Sequence, residues 1–268
     1  MVKFDGLLLV SDFDDTVYTA THYIPERNLK AIEYFRSEGG KFTIATGRAH
    51  RTFAPYRHLL PLDGPVVLSN GSALYDFERE EMLVQTYLPP SAPRDLGELL
   101  EVFPSLAIET YHGEDIYVFR PNYVTDGHMK KVGTDYTVCD IPDMPVPWTK
   151  AIVQQEYPVL LQARDWLMER HGDLYEAIFS NQYYLEITEK GSIKGGMVDV
   201  LARRMGIRPE NLYCVGDNQN DIPMMERSAI PFAPSNCSQP VRDFGARVLC
   251  SCEEGVIGDI VDILDNLY

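Results

Sequence analysis

A chain of 268 residues with 45% hydrophobic side chains is long enough to bury one large core or two modest ones, which excludes a disordered chain. Its formal net charge of -16 argues against a nucleic-acid partner, since that kind of binding needs Lys and Arg spread along a surface to neutralise phosphates. No apolar run approaches membrane-spanning length and the amino terminus lacks a leader-like stretch, so a soluble, cytoplasmic protein is expected, with its scattered cysteines reduced.

The first strand is expected at Leu7-Leu8-Leu9-Val10, aliphatic enough for a strand buried on both faces, and it runs straight into Asp12-Phe13-Asp14-Asp15-Thr16. Pro25 opens a helix to about Glu38 that Gly39-Gly40 ends. Lys41 to Ala45 predicts a second strand, closed by Thr46-Gly47-Arg48, and Pro65 to Leu68 a third, closed by Ser69-Asn70-Gly71. This alternation predicts a doubly wound α/β sheet whose strand ends share one edge. Alternating residues from Ser72 to Leu88 predict a hairpin at its margin.

From Pro89 to Tyr184 the texture changes to α+β: a helix near Leu96 to Phe103, strands at Leu106 to Tyr111 and Ile116 to Arg120, a proline-bearing loop over 141–147, a helix from Val159 to His171, and strands at Tyr175 to Phe179 and Tyr183 to Thr188. The α/β rhythm returns after Lys190, with a helix through Met205, a strand over 211–215 ending in Gly216-Asp217-Asn218-Gln219-Asn220-Asp221, two weaker strands and a terminal helix. The expected organisation is a sheet core over 1–88 and 185–268, interrupted by an inserted domain over 89–184.

Each acidic turn alone reads equally as a solvated or helix-capping Asx turn. Together, Asp12, Asp14, Asp217 and Asp221 end two strands of one sheet and can converge on one hard cation, for which Mg²⁺ is the best match. Asp12, first off its strand, is the candidate nucleophile toward phosphorus, and Asp14 the candidate general acid and base, a role that calls for a raised pKa. Thr46 supplies a hydroxyl donor, and Lys194 a cation at a helix N-terminus where anions are favoured.

These four stretches, in order, resemble the motifs of the haloacid dehalogenase superfamily, and the inserted domain resembles the type IIB cap of its Cof-like members. The resemblance spans essentially the whole chain. It implies a Rossmannoid core with an α+β cap, and Mg²⁺-dependent hydrolysis of a small phosphorylated metabolite, such as a sugar phosphate or a phosphorylated cofactor, through an aspartyl-phosphate. By position it implies Asp12 as nucleophile and metal ligand, Asp14 as acid/base that also offers its backbone carbonyl to the metal, Asp217 as ligand, and Asp221 as that site's support. Thr46, Gly47, Lys194 and Asn220 would bind the phosphate. Arg48 and Asn70-Gly71 line the same crevice without assigned roles, and Asp15 stands where many members have glycine.

Specificity is expected in the cap, where His112, Asp115, Tyr117, Arg120, Tyr123, His128, Lys130, Lys131, Tyr183 and Tyr184 are candidates, each also readable as packing or a solvated face. A hexose phosphomutase would use the same motifs, and so would a phospho-acceptor switch, although a switch has no need of a cap.

Overall fold

The computed structural model describes residues 2–268. The first half of the core comprises β1 (Leu8–Ser11), α1 (Glu26–Ser37), β2 (Lys41–Ile44), a short α2 (His50–Phe53) and β3 (Val66–Leu68), followed by the hairpin strands β4 (Ala73–Asp76) and β5 (Glu81–Gln85). The inserted domain contains α3 (Ala92–Val102), β6 (Ala107–His112), β7 (Asp115–Phe119), α4 (Tyr123–Val132), β8 (Thr137–Val138), β9 (Ala151–Gln154), α5 (Tyr157–His171), β10 (Tyr175–Phe179) and β11 (Tyr184–Glu189). The core then resumes with α6 (Lys194–Met205), β12 (Leu212–Val215), α7 (Ile222–Met225), β13 (Pro231–Ala233), α8 (Gln239–Phe244), β14 (Arg247–Val248) and α9 (Val256–Leu267).

Among the described residues the core sheet runs β14-β13-β12-β1-β2, with every pairing parallel. β1 sits beside β12, register Leu8 to Leu212, which brings the two acidic turns to the same edge. Side chains along these strands alternate between two apolar layers. Leu9 and Val215 join α1 and α9 through Phe35, Ile260 and Leu264, whereas Leu8, Val10 and Cys214 join α6 and α7 through Val198, Leu201 and Met224. A sheet covered on both faces needs continuous aliphatic strands, which is why Leu8-Leu9-Val10 carries no polar residue.

β3 meets the core sheet through one parallel bridge, Ala45 to Val67, and forms its main ladder antiparallel with β4. The expected third parallel strand is therefore a splice between the main sheet and the β3-β4-β5 hairpin sheet.

The cap sheet has the order β10-β11-β9-β6-β7-β8. Ile108, Val153, Leu185 and Ile187 point into a layer with Leu99, Leu160 and Leu167 of α3 and α5. The intervening residues, among them Glu109, Tyr111, Ile152 and Glu186, belong to the opposite face, by the period-2 alternation of a strand. That face looks onto the core's strand ends. The boundary expected at 184/185 cuts β11 after its first residue, and strand pairing carries the cap sheet on to Glu189. The two connections between core and cap run side by side, tied by Thr86 Oγ1 and Ser192 Oγ at 2.8 Å.

Candidate active site

Asp12 is the first residue beyond β1, and its N–H continues the parallel ladder by donating to the Val215 carbonyl at 2.9 Å. Its carboxylate is buried, and Oδ1 accepts from Lys194 Nζ at 2.5 Å. Lys194 is itself 1% exposed and donates also to Asp221 Oδ1 at 2.6 Å. It stands on the first residue of α6, and that start is set by Gly71. A Cβ on Gly71, whose φ is +100°, would lie 2.2 Å from the Ile193 carbonyl oxygen, so only glycine lets the turn after β3 press against the head of α6.

The turn after β12 is organised by Asp221. Its Oδ2 accepts the N–H groups of Asp217 and Asn218, both at 3.0 Å, while Oδ1 holds Lys194. With both oxygens engaged, Asp221 shapes the loop and fixes the lysine. Gly216 allows this, since a Cβ there would fall 2.3 Å from that of Asp221. Asp217 is contacted by the Thr16 hydroxyl at 3.4 Å.

Asp12, Asp217 and Asp221 each offer a carboxylate oxygen, and these lie within 4.8 Å of one another. Burial pushes the Asp12 carboxyl up to about 7, against the pull of Lys194 and with the push of Asp221 and Asp14. Burial also drives Asp217 well above the carboxylate range, reinforced by Asp12 and Asp221. Lys194 is held charged, because its two carboxylate partners outweigh its own desolvation. Three carboxylates around one ammonium leave excess negative charge in a water-poor space. An all-oxygen donor set in that condition fits a divalent hard cation, so the cluster can bind a metal.

Asp14 is placed differently from the sequence expectation. Its carboxylate lies outside that three-residue cluster and is gripped by Arg48, Nε to Oδ2 at 2.8 Å and Nη2 to Oδ1 at 2.7 Å. Burial raises its pKa, but the two charge-assisted bonds outweigh burial and hold it below the ordinary value. The raised pKa expected of an acid/base residue is thus not what this arrangement gives. Arg48, left without a role by the sequence, is the cause. It also covers the Phe13 and Tyr56 rings, with centroid distances of 5.3 and 4.5 Å.

Thr46 is fully buried at the end of β2, and its hydroxyl oxygen accepts from Arg48 N–H at 3.1 Å. Asn220 donates to Asn70 Oδ1 at 3.0 Å. The Asn70 amide nitrogen is buried without a partner among the described residues, a donor available beside Gly47. Asp15 has φ of +60° and donates its N–H to the Tyr18 carbonyl at 2.8 Å. The position is left-handed, which glycine adopts freely and Asp tolerates, so the acidic residue preserves the turn.

A cavity of about 150 Å³ joins these groups to the cap. Of the cap residues singled out from sequence, His128, Lys131 and Tyr184 line it. The others do not. His112 bonds the Pro147 carbonyl, Arg120 reaches the carbonyls of Leu100 and Pro104, Tyr123 pairs with Glu156, and Lys130 lines a neighbouring groove with Asp15 and His22. Lys150 and Glu186, which sequence reading passed over, are buried in the roof with Nζ to Oε2 at 3.0 Å, and Lys150 donates also to the Gly47 carbonyl at 2.9 Å. The signal for Glu186 was a polar residue in a strand whose neighbours are apolar, Leu185-Glu186-Ile187, and Lys150 directly precedes the apolar start of β9. Behind His128 stands Glu109, fully buried, accepting from His128 Nδ1 at 2.9 Å, from Gln154 at 2.6 Å and from the Tyr111 hydroxyl. These partners outweigh burial and keep Glu109 ionised.

Comparison with known proteins places this geometry. The family model for haloacid dehalogenase-like hydrolases matches residues 9–260. The pyridoxal phosphate phosphatase YbhA of Escherichia coli is 23% identical over 246 residues, covering 88% of this chain and 90% of that protein. The HMP-PP phosphatase of Klebsiella pneumoniae is 26% identical over 223 residues, covering 81% and 80%. The solved structure of the HAD subclass IIB sugar phosphatase BT4131 superposes with a TM-score of 0.84 over 97% of this chain and 99% of that one, at 19% identity, a likeness of fold. The chain belongs to the haloacid dehalogenase-like hydrolase family.

Proposed function

We propose that this enzyme is a Mg²⁺-dependent phosphatase that hydrolyses a small phosphorylated metabolite through an aspartyl-phosphate on Asp12. The observation that carries the reading is the pose of Asp12. One carboxylate oxygen is tied to Lys194 at 2.5 Å, which leaves Oδ2 free at the floor of the cavity shared with the cap. Lys194, Thr46, the Gly47 turn and Asn220 form the cradle for the phosphoryl oxygens, with the Asn70 amide as a further donor. The names of the curated relatives, both phosphatases of small phosphorylated compounds, support the substrate class.

In the first step Asp12 Oδ2 attacks phosphorus as the bond to the leaving-group oxygen breaks, and Asp14 delivers a proton to that oxygen. In the second, Asp14 takes a proton from water, the hydroxide oxygen bonds to phosphorus, and the Asp12–phosphorus bond breaks to release phosphate. Asp14 must leave Arg48, or share it, to carry the proton. Bound between Asp12 and Asp217, with the Asp14 backbone carbonyl as a further donor and Asp221 in support, Mg²⁺ would offset charge on the phosphoryl oxygens.

Phosphate release from a panel of phosphorylated metabolites, with and without Mg²⁺, tests this against the Asp12→Asn variant. Metal-dependent release that vanishes in the variant is expected, and undiminished release by Asp12→Asn would refute the nucleophile.

A further inference from the structure

The cap presents its charges to the cavity in matched pairs. Lys150 faces Glu186 at 3.0 Å, His128 faces Glu109 at 2.9 Å, and Lys131 at the mouth faces Asp15 at 3.9 Å. On the floor Arg48 is taken by Asp14, and Lys194 by Asp12 and Asp221. Among the described residues, then, each lysine and arginine lining the space has a carboxylate opposite, tightly for Arg48 and Lys150 at 2.7 and 3.0 Å and loosely for the half-exposed Lys131 at 3.9 Å.

Glu186 is also a lining residue. Its Oε1 accepts the Ser180 hydroxyl at 3.1 Å, and the carboxylate is 7% exposed as part of that residue. A second anionic group reaching the roof would therefore meet no unpaired cation there and would lie against the buried Glu186 carboxylate, where an uncompensated charge is costly. Hydroxyl groups face the reverse situation. Glu186 offers acceptors, the Tyr184 phenol and the Asn181 amide line the same wall, and His128 Nε2 makes no hydrogen bond among the described residues.

We infer that the Glu186–Lys150 pair makes the cap reject a second anionic group, so that the substrate is the phosphate monoester of an uncharged, hydroxyl-bearing leaving group. This rests on the phosphatase reading of Asp12 and adds the selection rule. Rejection comes from desolvation without compensation: the lysine is held by its own partner, the pair is neutral as a whole, and an incoming anion gives up water for no free cation.

The test uses glucitol 6-phosphate and 6-phosphogluconate, which differ at the far carbon by a hydroxymethyl against a carboxylate, with p-nitrophenyl phosphate as reference and Mg²⁺ present throughout. The wild type is expected to favour glucitol 6-phosphate by about tenfold or more in kcat/KM. Glu186→Gln, which frees Lys150, should bring that ratio to one or below. The double variant Lys150→Gln/Glu186→Gln avoids an unpaired buried lysine and should bring the ratio to within about threefold of one. A wild-type enzyme that uses the carboxylate compound equally well, or a ratio unmoved in both variants, overturns the inference. So does turnover of p-nitrophenyl phosphate with neither compound hydrolysed or inhibitory. Absence of turnover of every ester by the wild type overturns the phosphatase reading itself.

Discussion

Arg48 and Asp14 meet through two parallel hydrogen bonds of 2.8 and 2.7 Å, with the guanidinium stacked against Tyr56. Arg48 arrives from the turn after β2 and Asp14 from the turn after β1, so the pair locks two neighbouring strand ends together. Replacing Arg48 with Met frees the carboxylate to rotate while leaving Asp12 and Lys194 in place. The expected result is a kcat lower by about 10- to 100-fold with a smaller change in KM, since the proton carrier loses its position and the phosphate cradle does not. Steady-state kinetics on any accepted ester reads this split.

Lys194 is the sole ammonium between Asp12 and Asp221 among the described residues. Lys194→Met would strand two buried carboxylates, and a loss of about 3–5 kcal/mol in urea unfolding is expected. The double variant Lys194→Met/Asp221→Asn should recover part of that stability and none of the activity. No recovery would mean the loss comes from packing and not from charge.

Asp217 predicts the opposite sign. Its pKa is pushed far up by burial and by Asp12 and Asp221, so a carboxyl that ionises readily in the unfolded chain resists ionisation in the metal-free fold, which costs stability at neutral pH. Asp217→Asn should stabilise the metal-free protein by about 1 kcal/mol, a Tm rise of roughly 2–4 °C. The same variant should lose the further Tm gain that Mg²⁺ gives the wild type. Thermal scans with EDTA and with Mg²⁺ separate the two effects, and a lower Tm in EDTA would contradict the crowding argument.

Glu109 makes the cap sensitive to acid. Its folded pKa is held below the ordinary 4.5, because His128 and Tyr111 outweigh burial. A depressed carboxyl contributes stability that is present above the unfolded value and is lost as pH falls through the folded one. Between about pH 5 and pH 3 the wild-type Tm should therefore fall more steeply than that of Glu109→Gln. Parallel curves for the two proteins would show that this carboxylate contributes nothing to the slope.

The carboxylates of the core were legible because chemistry and topology point to the same places. Leu8-Leu9-Val10 and Leu212-Tyr213-Cys214-Val215 announce buried strands, and the acidic turns follow them directly. The partner of Asp14 was not legible. Arg48 follows Thr46-Gly47 as one more residue of a turn, and only the distance from β2 to β1 reveals that it cancels the charge two positions beyond Asp12. In the cap, exposed-looking Tyr123 and Arg120 attracted notice while Lys150 and Glu186 did not. A strand residue's face is fixed by alternation, yet which face looks at the active site depends on how the cap folds back over the core, and no local pattern encodes that.

The hydrogen bond between Thr86 and Ser192 marks where the chain leaves the core and where it returns. Removing 87–191 would leave two ends whose side chains already touch, and the ties it would cut at the strand ends include Asn218 to the Ser180 carbonyl and Lys150 to the Gly47 carbonyl, both at 2.9 Å, while the bonds of Lys194 to Asp12 and Asp221 lie wholly within the core. The cap is in that sense a cassette. Its inward-facing residues can be rewritten while Asp12, Asp221 and Lys194 keep their bonds to one another, so on the proposed reading substrate preference and bond-breaking chemistry are carried largely by separate parts of one chain.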